Sequence, residues 1–164
     1  MTNVAALRLS EAWMQCMRHV RHMGHALDAL RPLLPLQAST LASLDDEVIQ
    51  DWDQFVLRFT KLQDAMGVRL FPAVLEYLEE PFEDRPMLDK LHRLEKLGYL
   101  PNVQLWQNLR AIRNCFAHDY PEDDGLKAAY LNQAVDAVPV LLQLLALVEP
   151  LADTAKKQTN AEHT

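Results

Sequence analysis

Apolar residues in this chain recur at steps of three and four between prolines, and no run alternates with period two for long enough to argue for a sheet. That pattern confines the fold to packed helices. The nine prolines fall mostly between the periodic segments, and with only four glycines the joints are short. At 164 residues, 49% of them apolar, the chain can bury one sizeable core without disulfide or metal staples.

The first helix is expected from Val4 to Leu30, with Leu7, Trp13, Met17, Val20, Leu27 and Leu30 on its stripe and Pro32 and Pro35 ending it. A connector through Ser39, Thr40 and Ser43 leads to Asp45 or Asp46, either of which can cap a second helix carrying Val48, Trp52, Phe55, Val56, Phe59 and Leu62. Gly67 and Pro72 disturb that pattern, which predicts a kinked helix or two abutting ones. A shorter helix follows from Met87 to Leu97, with Asp89 and Arg93 as an exposed i, i+4 pair and Gly98 as its stop. Asn102 can cap the next, which turns Leu105, Leu109, Ile112 and Phe116 inward and ends near His118, where Pro121 forces the chain out. The last helix runs from Asp124 to Leu151 and is apolar nearly all round from Val138 to Val148, so it is expected to be buried on more than one side, either by its own bundle or by a second subunit.

The expected architecture is all-α, an antiparallel bundle of five or six helices over residues 1–152, with a polar, disordered tail over 153–164. Met1 to Ser10 lack a continuous apolar segment with a small-residue cleavage site, and no later stretch reaches ~18 uninterrupted apolar residues. A cytoplasmic protein with no membrane partner is the expectation. Cys16 and Cys115 lie far apart inside helices, which argues for small core residues or bystanders rather than a disulfide framework.

Formal charge is −7, which opposes a broad electrostatic grip on nucleic acid, because non-specific affinity comes mainly from Lys and Arg neutralising phosphates. Acid is concentrated at Asp45, Asp46, Asp51 and Asp53 and again at Glu122, Asp123 and Asp124, while Arg18, Arg21, Arg110 and Arg113 lie in stretches poorer in it. Any contact with RNA is therefore expected to be local.

The segment from Arg113 to Tyr120 holds the chemistry. Arg113 offers a planar fork of donors suited to a phosphate, and His118 can give or take a proton near neutrality. On an ideal helix Asn114 and His118 lie about 40° apart and share a face with Arg110, whereas Arg113 and His118 lie about 140° apart. One helix then aims Arg113 and His118 at a single atom only if its end distorts, the Arg wraps round, or a second copy supplies the missing group.

The pattern Arg113-Asn114-x-x-x-His118-x-Tyr120 resembles the signature of the HEPN domain superfamily, and more narrowly of the HepT-like toxins paired with minimal nucleotidyltransferase antitoxins. The segment Arg58 to Gly67, followed by Leu70-Phe71-Pro72, also looks like members of that group. The resemblance implies a homodimer, within or without a larger hetero-oligomer, that joins through the motif-bearing side and cuts RNA with no metal and no cofactor. His118 would be general base or acid, Arg113 would stabilise the pentacoordinate phosphate, and Asn114 would orient the imidazole or the phosphate. Arg110 is a secondary candidate for phosphate contact. Tyr120 would be the residue that the nucleotidyltransferase antitoxin adenylylates, blocking the cleft with bulk and negative charge.

Other readings of the same residues stand beside these. Arg113 can pair with Asp119 or Asp123, and His118 can serve as a C-terminal cation favoured by the helix dipole. The chain can also be a non-catalytic substrate- or nucleotide-binding companion of a nucleotidyltransferase, or a plain helical interaction module. His19, His22 and His25 step by three along the first helix. Arg18 and Arg21 beside them add repulsive charge, so a polar cleft or solvated flank is expected there rather than a metal site, with a contribution to RNA contact as a lesser alternative.

Overall fold

The computed structural model describes residues 3–117 and 122–162, and among these every regular element is helical. Helix α1 (Val4–Leu30) starts at Asn3, whose side chain accepts from the Ala6 N–H, and a short 3-10 turn (Arg31–Leu33) follows it. The segment expected to be a plain connector contains a one-turn helix, α2 (Ala38–Leu41). Asn132 clamps the strand of chain before it, accepting from Leu36 N at 2.8 Å and donating to Leu36 O at 2.8 Å.

Helix α3 (Asp46–Ala65) is capped by Asp45, which accepts from Val48 N at 2.9 Å. At Gly67 the ladder widens into a π-helical segment (Met66–Leu70) and passes without a break into α4 (Phe71–Tyr77), so the two expected alternatives resolve into one continuous rod. Pro72 falls in the first turn of α4, where the missing N–H costs little. A Cβ on Gly67 would stand 3.2 Å from the Trp106 ring, and the bare backbone there lets that indole lie close to the rod.

Helices α5 (Met87–Leu97) and α6 (Val103–Ala117) flank a tight turn. Gly98 takes φ 87° and closes α5, with Tyr99 N donating back to Leu94 O at 2.9 Å. Asn102 accepts from Leu105 N at 2.7 Å, and Glu95 accepts from Val103 N at 2.7 Å, so two donors at the start of α6 are satisfied. The expected Asp89–Arg93 pair does not form. Arg93 instead reaches out of α5 to Glu80 with two bonds of 2.9 and 2.8 Å, a fork geometry that a carboxylate one turn away on the same helix cannot match.

Helix α7 (Asp124–Ala161) is ten residues longer than expected. The polar tail from Asp153 has no stripe of large apolar residues, yet it is helical to Ala161 rather than disordered. In the structure small ones suffice: Ala152 and Ala155 are buried, Gln158 accepts from the Tyr77 hydroxyl at 2.9 Å, and Glu162 accepts from Asn3 N. By length and composition α7 would also suit a membrane span, but its Ala128-Leu131-Ala134-Val138-Leu141-Leu145-Val148 stripe is packed in the core. Leu142 and Leu147, each 41% exposed, lie outside the buried face of α7 and about 140° apart round the helix.

The contacts set the topology. Arg8 pairs with Glu76 and His19 with Arg58, so α1 runs antiparallel to the α3–α4 rod. Phe59 meets Phe116 and Phe71 meets Trp106, so α6 is antiparallel to the same rod on its other flank. The α1 stripe is rotated from the expected one: Ala6, Leu9, Ala12, Cys16 and Met23 are buried, while Leu7 is 39% exposed. Small side chains there let α1 approach α3 closely, and Phe55, Phe59 and Leu62 fill the seam.

Candidate functional site

The sequence assigned the site to the end of α6, and the described part of that helix stops at Ala117. His118 and Tyr120, with Asp119 and Pro121 beside them, lie outside the described residues. The described residues of the site are Arg110, Arg113 and Asn114, together with one acidic residue from another helix.

That residue is Asp64, near the C-terminal end of α3. Arg113 donates to it through Nε at 3.2 Å and Nη2 at 2.9 Å, and Arg110 donates through Nη1 at 3.0 Å. The antiparallel contact of α3 and α6 explains the meeting: Phe59 against Phe116 and Gly67 against Trp106 fix the register, and Asp64 falls between them. Arg113 is therefore not paired with Asp123, which caps α7 instead by accepting from Leu126 N at 2.8 Å. Arg110 is drawn into the same ion pair rather than left as solvated surface.

Burial pushes the Asp64 carboxyl up, but the hydrogen bonds and charge of Arg113 and Arg110 outweigh it and hold the group below its ordinary value. It is a stable anion at neutral pH. Its single charge is shared between two guanidiniums, so the three groups together carry one net positive charge. Arg113 is the more enclosed of the two, at 18% side-chain exposure against 34% for Arg110. Asn114 is exposed and lies about 100° round α6 from Arg113.

Beside this ion pair an open groove of about 350 Å³ runs between α3 and α6, lined by Asp53, Val56, Leu57, Thr60 and Phe116. Leu57 on α3 is 47% and Val68 in the π-helical segment 71% exposed, so an exposed apolar side chain lies on either side of Asp64 along the rod.

Of the remaining candidates, His19 faces α3 and its Nδ1 lies 3.1 Å from Arg58 Nη1; a guanidinium can only donate, so Nδ1 accepts. Among the described residues no three His, Cys, Asp or Glu side chains converge as a metal site. Cys16 is buried and its thiol is pushed up to about 12 by burial, which leaves it unreactive. Trp52 and Trp106 are core anchors and Trp13 is half-buried.

No family model matches the chain, and neither a curated protein nor a solved structure does so.

Proposed function

We propose that the chain is a metal-independent endoribonuclease of the HepT-like HEPN type, cutting RNA by attack of a ribose 2′-hydroxyl on the adjacent phosphate. The observation that carries this reading is the pair of α6 arginines preset on Asp64 at the start of the Arg113-Asn114-x-x-x-His118-x-Tyr120 motif. A guanidinium already oriented by a carboxylate loses little freedom when it meets a phosphate, and charge stabilisation by preset donors is worth most where new charge develops. Arg113 takes the developing phosphorane charge, Arg110 an adjoining phosphate, and Asn114 the orientation of the imidazole. His118 moves the proton, either from the 2′-hydroxyl or to the leaving 5′-oxygen, a role usually worth ~10²–10⁴-fold.

Two copies are needed. Arg113 and His118 point some 140° apart on an ideal helix, so a homodimer that brings two α6 ends together supplies from one protomer what the other aims away. The exposed Leu57 and Val68 beside Asp64 favour that face as the seam, within a cytoplasmic complex that includes a nucleotidyltransferase antitoxin. Adenylylation of Tyr120 by that partner then places phosphate charge in a cleft built for RNA phosphate.

Cleavage should leave a 2′,3′-cyclic phosphate and a 5′-hydroxyl. A product with a 5′-phosphate and a 3′-hydroxyl would overturn the reading. Incubation with the partner and ATP should add AMP groups, detected by mass spectrometry and lost in Tyr120→Phe.

One observation favours a second reading, the non-catalytic companion of a nucleotidyltransferase. Asp64 already engages both guanidiniums, as it would if the pair only tied α3 to α6. Harmless expression together with tight binding to the nucleotidyltransferase is the signature of that alternative.

A further inference from the structure

On α3, Arg58, Lys61 and Asp64 follow one another at about 60° steps round the helix, from the α1 side to the α6 side. Asp64 belongs to the ion pair at α6. Arg58 and Lys61 face a different neighbour: His19 on α1 touches Arg58, and the charge of Arg58 is felt at both His19 and His22.

This second cluster has no counter-charge. Arg18, Arg21, Arg58 and Lys61 have no ion pair among the described residues, although the chain as a whole carries −7. Arg58 is half-buried, its Nε is sealed from solvent, and that atom has no hydrogen-bond partner. A partly desolvated, unpaired guanidinium is costly unless something negative occupies the site. The neighbouring imidazoles lean the same way: partial burial first, then Arg58 and the other surrounding cations, holds His19 and His22 below their usual value. With Nδ1 occupied by Arg58, neutral His19 carries its proton on Nε2, where it is a donor.

We propose that His19, His22, Arg58 and Lys61 form a phosphate-gripping site on the α1–α3 surface, which holds the RNA backbone beside the arginines of α6. Arg58 and Asp64 are six residues apart, ~9 Å along the rod, which is roughly three nucleotides of a stacked strand. The site rests on the ribonuclease reading for the identity of its ligand, and its grip is local, confined to cations of α1 and α3 that have no ion pair among the described residues.

The test is fluorescence anisotropy with a labelled single-stranded 2′-O-methyl oligoribonucleotide, which has no 2′-hydroxyl and stays intact, titrated over a range of NaCl concentrations. Arg58→Gln and Lys61→Gln should each weaken binding several-fold and flatten the slope of log K against log salt by about 0.7, the share of one phosphate contact on a single strand. Lys156→Gln on the far end of α7 should change neither. Lys61 is exposed, so its variant reports even if Arg58→Gln folds poorly. Unchanged affinity and slope in Lys61→Gln overturns the site, as does binding by anionic lipid vesicles in place of the oligonucleotide. Since the probe cannot be cut, failure here leaves cleavage of ordinary RNA to be judged separately.

Discussion

Replacing Asp64 by Asn would leave two guanidiniums side by side with no carboxylate between them. Because the three groups are partly exposed, the cost is modest, ~1 kcal/mol or less after solvent screening. The pH dependence has a definite sign. Asp64 is held below its unfolded value of 3.8, so its contribution is complete above that pH and drains away as pH falls through the folded value. Urea melts of wild type and Asp64→Asn should therefore differ at pH 7 and converge progressively below pH 3.8. His19 works in the opposite chemical sense. Its depressed value means the unfolded chain takes up the proton first, so stability falls as pH drops from 6.5 towards the folded value, and His19→Gln should flatten that slope. Gln63 is the residue that fits least: it is fully buried and neither its amide nitrogen nor its oxygen has a partner. Gln63→Met, close in shape and with no strong polar group, should raise unfolding stability by about 1 kcal/mol, the lower end of what an unmade buried hydrogen bond costs. A loss of stability in that variant would show that the amide is satisfied.

At the level of elements, boundaries set by local chemistry were legible and those set by distant partners were not. Asp45, Asn102 and Gly98 mark helix ends through bonds to residues at most five positions away, and α1 and α5 have the bounds their patterns suggest. Gly98→Ala should cost about 1 kcal/mol purely through its left-handed backbone, since no neighbouring atom crowds the added methyl. By contrast, the last turns of α7 are held by Asn3, Tyr77 and the close fit of alanines, none of which a local stripe reveals. Removing residues 153–164 should accordingly lower the melting temperature, where a disordered tail would leave it unchanged. Asp64 was missed for the same reason. It sits 46 and 49 residues from its partners, and only the aromatic register of α3 on α6 brings them together. The motif residues were legible because their chemistry exceeds what a helix end requires.

Across the whole molecule, the α6–α3–α1 surface carries Arg18, Arg21, Arg58, Lys61, Arg110 and Arg113, the apolar residues Leu57 and Val68, and the start of the motif. A dimer joined at the α3–α6 groove would bury Leu57. Leu57 is exposed in the single chain, so Leu57→Asp should leave the helical content by circular dichroism unchanged while light scattering reports monomer instead of dimer. The same variant should lose RNA cleavage if two α6 ends are needed for one cut. The most direct measurement is the cleavage rate of a single-stranded RNA by purified protein in excess EDTA, compared with that of His118→Ala. Wild type should cut at full rate in EDTA, and the variant should fall by about two orders of magnitude or more. Cleavage that EDTA abolishes and His118→Ala retains would contradict the metal-independent ribonuclease reading.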